Sequence, residues 1–281
     1  MSMTIRTLQV PLLDKTITVE HDQMRFIRIF DEPIGLPYEH EGKRGVQNES
    51  HMLQHIPMMD FQAKITSLLR AVLKDAKIPY PLKGQFRVEI DVTTSRSISE
   101  MPLLLLMKSV VDGINKEIVT DDHCIFSCSI KYNWRARNRR SAVTKSPDVL
   151  SVRLFDYNGP SSSPVVEFRK VHVHAVPKTD PLLLNYSKDV RWPLGNYDYQ
   201  DDVAAALRND GMQIAGGGPY RLHLLFLGNI LSKDVDNMAR MYYPILQQLG
   251  LRNEDVLEIV LTKQQATLAD SSCVQIALAQ I

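Results

Sequence analysis

The sequence predicts an α+β protein made of two tandem copies of one unit, and three observations carry that expectation. The same order of strands and helices occurs twice, once on each side of the turn-rich stretch "NGPSSSP" at residues 158–164. Within that order "DFQ" in the first half answers "DYQ" in the second, and "TDD" answers "NED". Each copy mixes period-2 alternation with helical spacing, the pattern of a small layer with few strands and two helices.

The elements follow in order. Residues 1–22 have no counterpart in the second half and are expected to add a hairpin. The first copy, residues 23–157, opens with the strand "MRFIRIF". The helix "DFQAKITSLLRAVLKDA" follows, with Ile65, Leu68, Leu69 and Val72 on one face. In "FRVEIDV" Phe86, Val88, Ile90 and Val92 alternate with polar positions, as in a half-buried strand. A second helix, "LLLLMKSVVDGINK", leads through "TDD" to the strand "HCIFSCSIKY", a basic loop and the closing strand "LSVRLFDY". Residues 158–164 carry turn formers and no apolar side chain, which reads as a linker. The second copy, residues 165–281, repeats the plan with the strand "KVHVHAV", the helix "DYQDDVAAALRND" and the strand "YRLHLLFL". The helix "NMARMYYPILQQLG", the acidic "NED" and the strands "VLEIVLTK" and "SCVQIALAQI" complete it.

Composition excludes little. Of 281 residues 44% are hydrophobic, enough for a real core, and the formal net charge is +1. The longest apolar run, "MPLLLLM", is far short of the roughly 20 residues of a membrane span, and "MSMTIRTLQV" lacks the apolar core of a signal peptide. An intracellular, cytoplasmic location without membrane association is therefore expected. Cys124, Cys128 and Cys273 form no CxxC pair and read as buried reduced thiols.

Charge is unevenly spread. Residues 159–281 hold 11 Lys and Arg against 13 Asp and Glu, whereas "KYNWRARNRRSAVTK" places Lys131, Arg135, Arg137, Arg139, Arg140 and Lys145 together without one acid. Such a run is commonly a solvated loop. Here Tyr132 and Trp134 are interleaved, a mixture that suits phosphate contacts combined with stacking on bases or sugars.

The stretch "SKDVDNMARMYYPILQQLG" sets Asp234 and Asp236 one residue apart at the mouth of a helix. Capping and the helix dipole explain acids there without any ligand. In an extended segment, however, both would project to one side, with Val235 opposite. Asp255 at the head of the next strand would then make a set of three carboxylates, hard oxygen ligands suited to Mg²⁺. His51 and His55, four residues apart, have no evident third ligand, and His172 with His174 falls on the polar side of a strand.

"KDVDNMARMYYPILQQLGLRNEDVLEIVLTK" resembles the RusA-type Holliday junction resolvases, whose signature is D-x-D-N-L-x-K, then a helix, an acidic pair and a strand ending in Lys. "LLLLMKSVVDGINKEIVTDDHCIFSCSIKY" matches the K-x-x-x-D-x-L-N and D-D parts of the same pattern. The resemblance covers nearly the whole chain after residue 22. It implies two tandem RusA-like repeats forming an intramolecular pseudo-dimer, with Mg²⁺ (or Mn²⁺) as cofactor and branched DNA as partner and substrate.

Carried over by position, the second copy keeps Asp234, Asp236, Asn237 and Asp255, while Arg240 stands where the family has Lys. This implies a catalytic set of Asp234, Asp236, Asp255 and Arg240, with the three aspartates as metal ligands. The first copy keeps Lys108, Asp112, Asp121 and Asp122, but Pro102 and Leu104 occupy the D-x-D positions, which implies a degenerate site around Lys108, Asp121 and Asp122. DNA contacts are expected at Lys131, Trp134, Arg135, Arg137, Arg139, Arg140 and Lys145. The implied activity is Mg²⁺-dependent, structure-specific endodeoxyribonuclease cleavage from one centre. The alternatives are a catalytically inactive junction-binding or scaffold protein and a protein-interaction module that inherited the fold.

Overall fold

The structure, a computed structural model, describes residues 4–10, 15–21, 25–30, 49–94, 98, 103–134, 148–160, 164–173, 194–209, 211–214, 217–228, 231–265 and 273–281. Its elements in chain order are β1 (Thr4–Val10), β2 (Lys15–His21), β3 (Arg25–Phe30), α1 (Glu49–Asp75), β4 (Phe86–Thr94), α2 (Leu103–Ile114), β5 (Ile125–Trp134), β6 (Asp148–Asp156), β7 (Val166–Val173), α3 (Leu194–Asn209), β8 (Tyr220–Gly228), α4 (Val235–Gln248), β9 (Val256–Gln265) and β10 (Cys273–Gln280). This is an α+β chain, and it folds as two compact units. The central unit is His40–Tyr186, and the terminal unit joins Met1–Glu39 to Ser187–Ile281. Among the described residues no helix is long and apolar enough to cross a membrane.

In the central unit the strand order is β5-β4-β6-β7, with β4 and β5 parallel and the other pairs antiparallel. β4 alternates as its sequence predicts, burying Phe86, Val88, Ile90 and Val92. On α1 the buried stripe is Phe61, Ile65, Leu69 and Leu73, one residue every four, while Leu68 and Val72 flank it half-buried. α1 packs on α2 and β7, and α2 packs on β5. Enclosed in this way, α2 buries Leu103 through Met107 in an unbroken run rather than presenting one apolar stripe.

The terminal unit has strand order β1-β2-β3-β10-β8-β9, with β8 and β9 parallel and the others antiparallel. The hairpin expected of residues 1–22 forms as β1 and β2 and continues into β3. Its core joins Leu222, Leu224, Phe226, Ile259, Leu261, Val274 and Ile276 of the sheet to Met238, Tyr242, Ile245 and Leu249 of α4. The Phe226 and Tyr242 rings lie 5.9 Å apart between centroids. α3 packs on α4 through its buried Val203, Ala204 and Leu207.

The two units share one plan. In each, a nine-residue strand lies parallel to the ten-residue strand that follows the crossover helix, and the next strand pairs antiparallel on the other side. In each, the parallel register slips after the first residue, at Phe86/Arg87 and at Tyr220/Arg221. A one-turn 3₁₀ helix precedes the second parallel strand in both, Asp122–Cys124 and Asn253–Asp255. Matching these registers sets Tyr132 at the position of Lys263, and Asp121 and Asp122 at those of Arg252 and Asn253. The equation of "TDD" with "NED" is thus displaced by two residues.

The division into units also departs from the boundaries read in the sequence. "NGPSSSP" is no linker between copies: β6 and β7 on either side of it pair antiparallel in the central unit, and Val165 N donates to Leu154 O at 2.8 Å. β3, expected to open the first copy, instead pairs with β10 in the terminal unit. Local hairpin closure explains the difference. β7 follows β6 closely and takes its edge at little entropic cost, whereas the edge of β10 is taken by β3, which lies far from it in the sequence.

α4 ends in a Schellman motif: Leu251 N donates to Leu246 O and Gly250 N to Gln247 O, both at 3.0 Å, with Gly250 at φ +110°. A Cβ on Gly250 would sit 2.7 Å from the backbone oxygen of Ile214. Gly250→Ala is therefore expected to cost about 1–3 kcal/mol through left-handed strain and the clash with backbone. A urea midpoint equal to that of the natural protein would show that the turn relaxes freely.

Candidate functional site

The parallel pair of the terminal unit brings the carboxyl ends of β8 and β9 side by side, the end of a sheet where ligands of α/β proteins commonly bind. Leaving β8 at Gly228, the chain enters α4 at Val235, and the paired aspartates stand at that entry. Asp234 holds the N-cap position with φ −81° and ψ 126°, yet its side chain makes no capping bond to the helix. Its Oδ2 accepts a hydrogen bond from Asn237 Nδ2 at 2.9 Å. Capping therefore does not explain this carboxylate.

The shared-edge geometry expected for the pair does not form either. Only Asp234 is extended, and helix begins at Val235, so successive residues turn by about 100° instead of alternating. Val235 and Asp236 are both 1% exposed, while Asp234 is half-buried. Asp236 enters the structure as a buried carboxylate in the first turn of α4, where the helix dipole favours negative charge.

Asp255 is 6% exposed and is gripped by Arg252: Nε reaches Oδ2 at 2.8 Å and Nη2 reaches Oδ1 at 2.7 Å. The guanidinium hydrogen bonds, with a smaller contribution from the backbone N–H of Gly218, hold the Asp255 carboxyl below its ordinary pKa despite burial. A side chain on Gly218 would collide with Asp255, its Cβ falling 2.6 Å from the Asp255 carbonyl oxygen. The same turn is tied to α4 through Asn253 Oδ1, which accepts from Tyr243 Oη at 2.9 Å and Gln247 Nε2 at 3.2 Å. Among the described residues, Asp234, Asp236 and Asp255 do not gather as three ligand atoms within 4.8 Å of one another. Arg240 is half-buried on α4, one turn after Asp236.

Two cationic residues here anchor the backbone and the carboxylate around the head of α4 and the turn before β9. Lys263 is fully buried and donates to Leu231 O and Lys233 O. Its signal was present in "VLEIVLTK", where Ile259, Leu261 and Lys263 share one phase of the alternation. Arg252 announces itself only by preceding Asp255 by three residues. On the neighbouring strand burial pulls the His223 imidazole below its ordinary pKa, with Nε2 3.3 Å from Thr262 Oγ1.

In the central unit the residues of the degenerate site have structural occupations. Lys108 pairs with Asp112 at 3.1 Å one helical turn on, and Gln62 Nε2 contacts the same carboxylate at 3.4 Å. Asp121 caps the turn Asp122–Cys124 by accepting from His123 N, and its Oδ1 lies 2.6 Å from His123 Nδ1. Burial pushes the Asp121 carboxyl up, but its hydrogen bonds with His123 and Asp122 outweigh this and leave it below the ordinary value. Leu104 is buried, while Pro102 lies outside the described residues.

Of the expected DNA contacts, Lys131 and Trp134 are exposed on β5, Trp134 at 66%. Tyr132 between them is buried and belongs to the core, not to a stacking surface. Arg135, Arg137, Arg139, Arg140 and Lys145 lie outside the described residues, as does His174. His51 and His55 fall on α1 and His172 on β7. Cys128 is buried, as expected, and Cys124 half-buried. Comparison with protein-family models, with curated proteins and with solved structures returns no match for the chain.

The Asp255 pKa is depressed in the fold, so its contribution to stability is complete above the ordinary carboxylate value of 3.8 and disappears as pH falls below it. Arg252→Met should therefore destabilise the terminal unit at neutral pH, and the two proteins should converge in stability on acidification. Equal unfolding midpoints at pH 7 would show that the ion pair contributes nothing.

Proposed function

We propose that the chain is a RusA-like, Mg²⁺-dependent endodeoxyribonuclease acting on branched DNA, descended from two copies of one resolvase-like unit that serve as a dimer within a single chain. The observation that carries the reading is Asp234: it stands at the head of α4, beside the carboxyl ends of parallel strands, and its carboxylate is not spent on capping. Mg²⁺ is commonly held by one or two carboxylates, with water and substrate phosphate completing its shell. Half-buried Asp234 suits that sparse donor set and Asp236, in the first turn of the same helix, is taken as its second carboxylate, whereas Asp255 does not join it while Arg252 holds both its oxygens. Bound there, Mg²⁺ or Mn²⁺ would supply charge neutralisation at phosphate and a more acidic water.

The chain's own groups do the rest. Asn237 fixes the orientation of Asp234, and the N-terminus of α4 favours an anionic phosphate. Arg240, in the place of the family's Lys, brings permanent positive charge but no readily transferable proton. Lys131 and Trp134 give the central unit a phosphate contact and a stacking face, and it acts as the DNA-holding partner.

The second reading is a catalytically inactive junction binder or scaffold, and the Arg252–Asp255 pair favours it, because a guanidinium sits where a third ligand was expected. Supercoiled cruciform plasmid, assayed with and without Mg²⁺, separates the two. The single-centre enzyme is expected to give open-circle product, abolished by Asp236→Asn with junction binding retained. Linear product would argue for a second working centre, and no product at any Mg²⁺ concentration alongside tight junction binding would establish the inactive binder.

Binding itself is tested on β5. Lys131→Ala should flatten the slope of log affinity against log salt by about 0.9, the share of one phosphate contact. Trp134→Ala should weaken binding by about 1–3 kcal/mol without changing the slope, as loss of stacking does. If neither measurement moves, β5 is not a DNA contact.

A further inference from the structure

Lys263 is the inward-facing lysine of β9, fully buried on the same face as Ile259 and Leu261. Lysine is almost never buried completely unless its amine is bonded. Here Nζ donates to Leu231 O at 3.2 Å and to Lys233 O at 2.6 Å, reaching back 32 and 30 residues in the chain. Both carbonyls belong to the short segment that delivers the chain into α4, and Lys233 is the residue immediately before Asp234. The lysine thus fixes the backbone from which the aspartate pair is presented.

An internal comparison supports a role tied to that pair. The central unit has Tyr132 at the register position of Lys263, and the sequence match that sets Lys108 against Arg240 sets Leu104 against Asp236. All four residues are buried. The lysine is present in the unit that carries D-x-D and replaced in the unit that lacks it, although the strand at that position has the same register in both.

We infer that Lys263 is a positioning residue for Asp234 and Asp236, acting through the carbonyls of Leu231 and Lys233. The inference rests on the reading of these aspartates as metal ligands given above. It assigns Lys263 no contact with substrate or metal.

The test uses the full chain with Lys263→Met, which keeps the apolar stem and removes the donors, and Lys263→Gln, which keeps one donor group at shorter reach. Hydrogen–deuterium exchange followed by mass spectrometry reads residues 231–237, and Mn²⁺ binding by electron paramagnetic resonance reads the ligands. In Lys263→Met the amides of 231–237 should exchange about tenfold faster, with β8 and β9 unchanged. Mn²⁺ affinity should fall about tenfold or more, as on loss of a group that orients metal ligands, with Lys263→Gln between the extremes. Unchanged exchange in 231–237 overturns the inference, as does a faster exchange that leaves Mn²⁺ affinity intact. Equal acceleration throughout β8 and β9 would reduce Lys263 to general support of the fold and also overturn it. Faster local exchange in a chain that binds no Mn²⁺ even with Lys263 present keeps the tether and removes the metal reading instead.

Discussion

Two neighbouring strands that run in the same direction cannot be joined by a tight turn, so the chain must cross the face of the sheet between them. β8 and β9 impose this on the terminal unit, β4 and β5 on the central one, and α4 and α2 are the crossovers. The consequences extend well beyond topology. A crossover starts at the carboxyl end of the first strand, which also lies beside the carboxyl end of the second. Residues 30 and 32 positions apart are thereby brought to one end of the sheet, and this is how Lys263 meets the carbonyls that precede Asp234. The helix must also bury one face on the sheet, which fixes its rotation and decides that Asp236 is interior while Asp234 is half-buried.

Much of this was legible in the sequence because it depends on local periodicity. Phe86, Val88, Ile90 and Val92 can lie on one face only in a strand; of the crossover helices, α2 is marked by a dense apolar run and α4 by Met238, Tyr242, Ile245 and Leu249 at helical spacing. The choice of neighbour was not legible, since alternation says which face of a strand is buried and nothing about which strand lies beside it. By sequence order alone β3 belongs to the copy that it opens, although it pairs with β10. The same ambiguity attended "NGPSSSP", whose turn formers suit a hairpin connection as well as a linker.

The acidic residues were legible as a group and not in their geometry. Spacing of two implies a common side only while the chain is extended, and α4 begins one residue too early for that. Asp255 is marked in the sequence by its place before a strand, but its partner Arg252 is not, since an ion pair within one turn has no periodic signature. That pair neutralises a nearly buried carboxylate at the expense of its availability. The register match places Asp121, Asp122 and Cys124 at the positions of Arg252, Asn253 and Asp255, so the central unit has neither member of that ion pair in its corresponding turn.

The differences between units are constrained by burial. Asp236 and Leu104 occupy one interior position, Lys263 and Tyr132 another, and all four side chains are buried. A buried charge costs several kcal/mol unless it is bonded, and the Lys263 amine is bonded to the carbonyls of Leu231 and Lys233. The fold carries two arrangements at these positions, a buried acid with a buried lysine, or Leu104 with Tyr132. The terminal unit has the first and the central unit the second. Packing alone would accept the apolar version at both, since the central unit closes its core with it. Retention of both charges in the terminal unit thus calls for a requirement other than packing, and the placement of Lys263 behind the aspartate-bearing segment assigns that requirement to the head of α4.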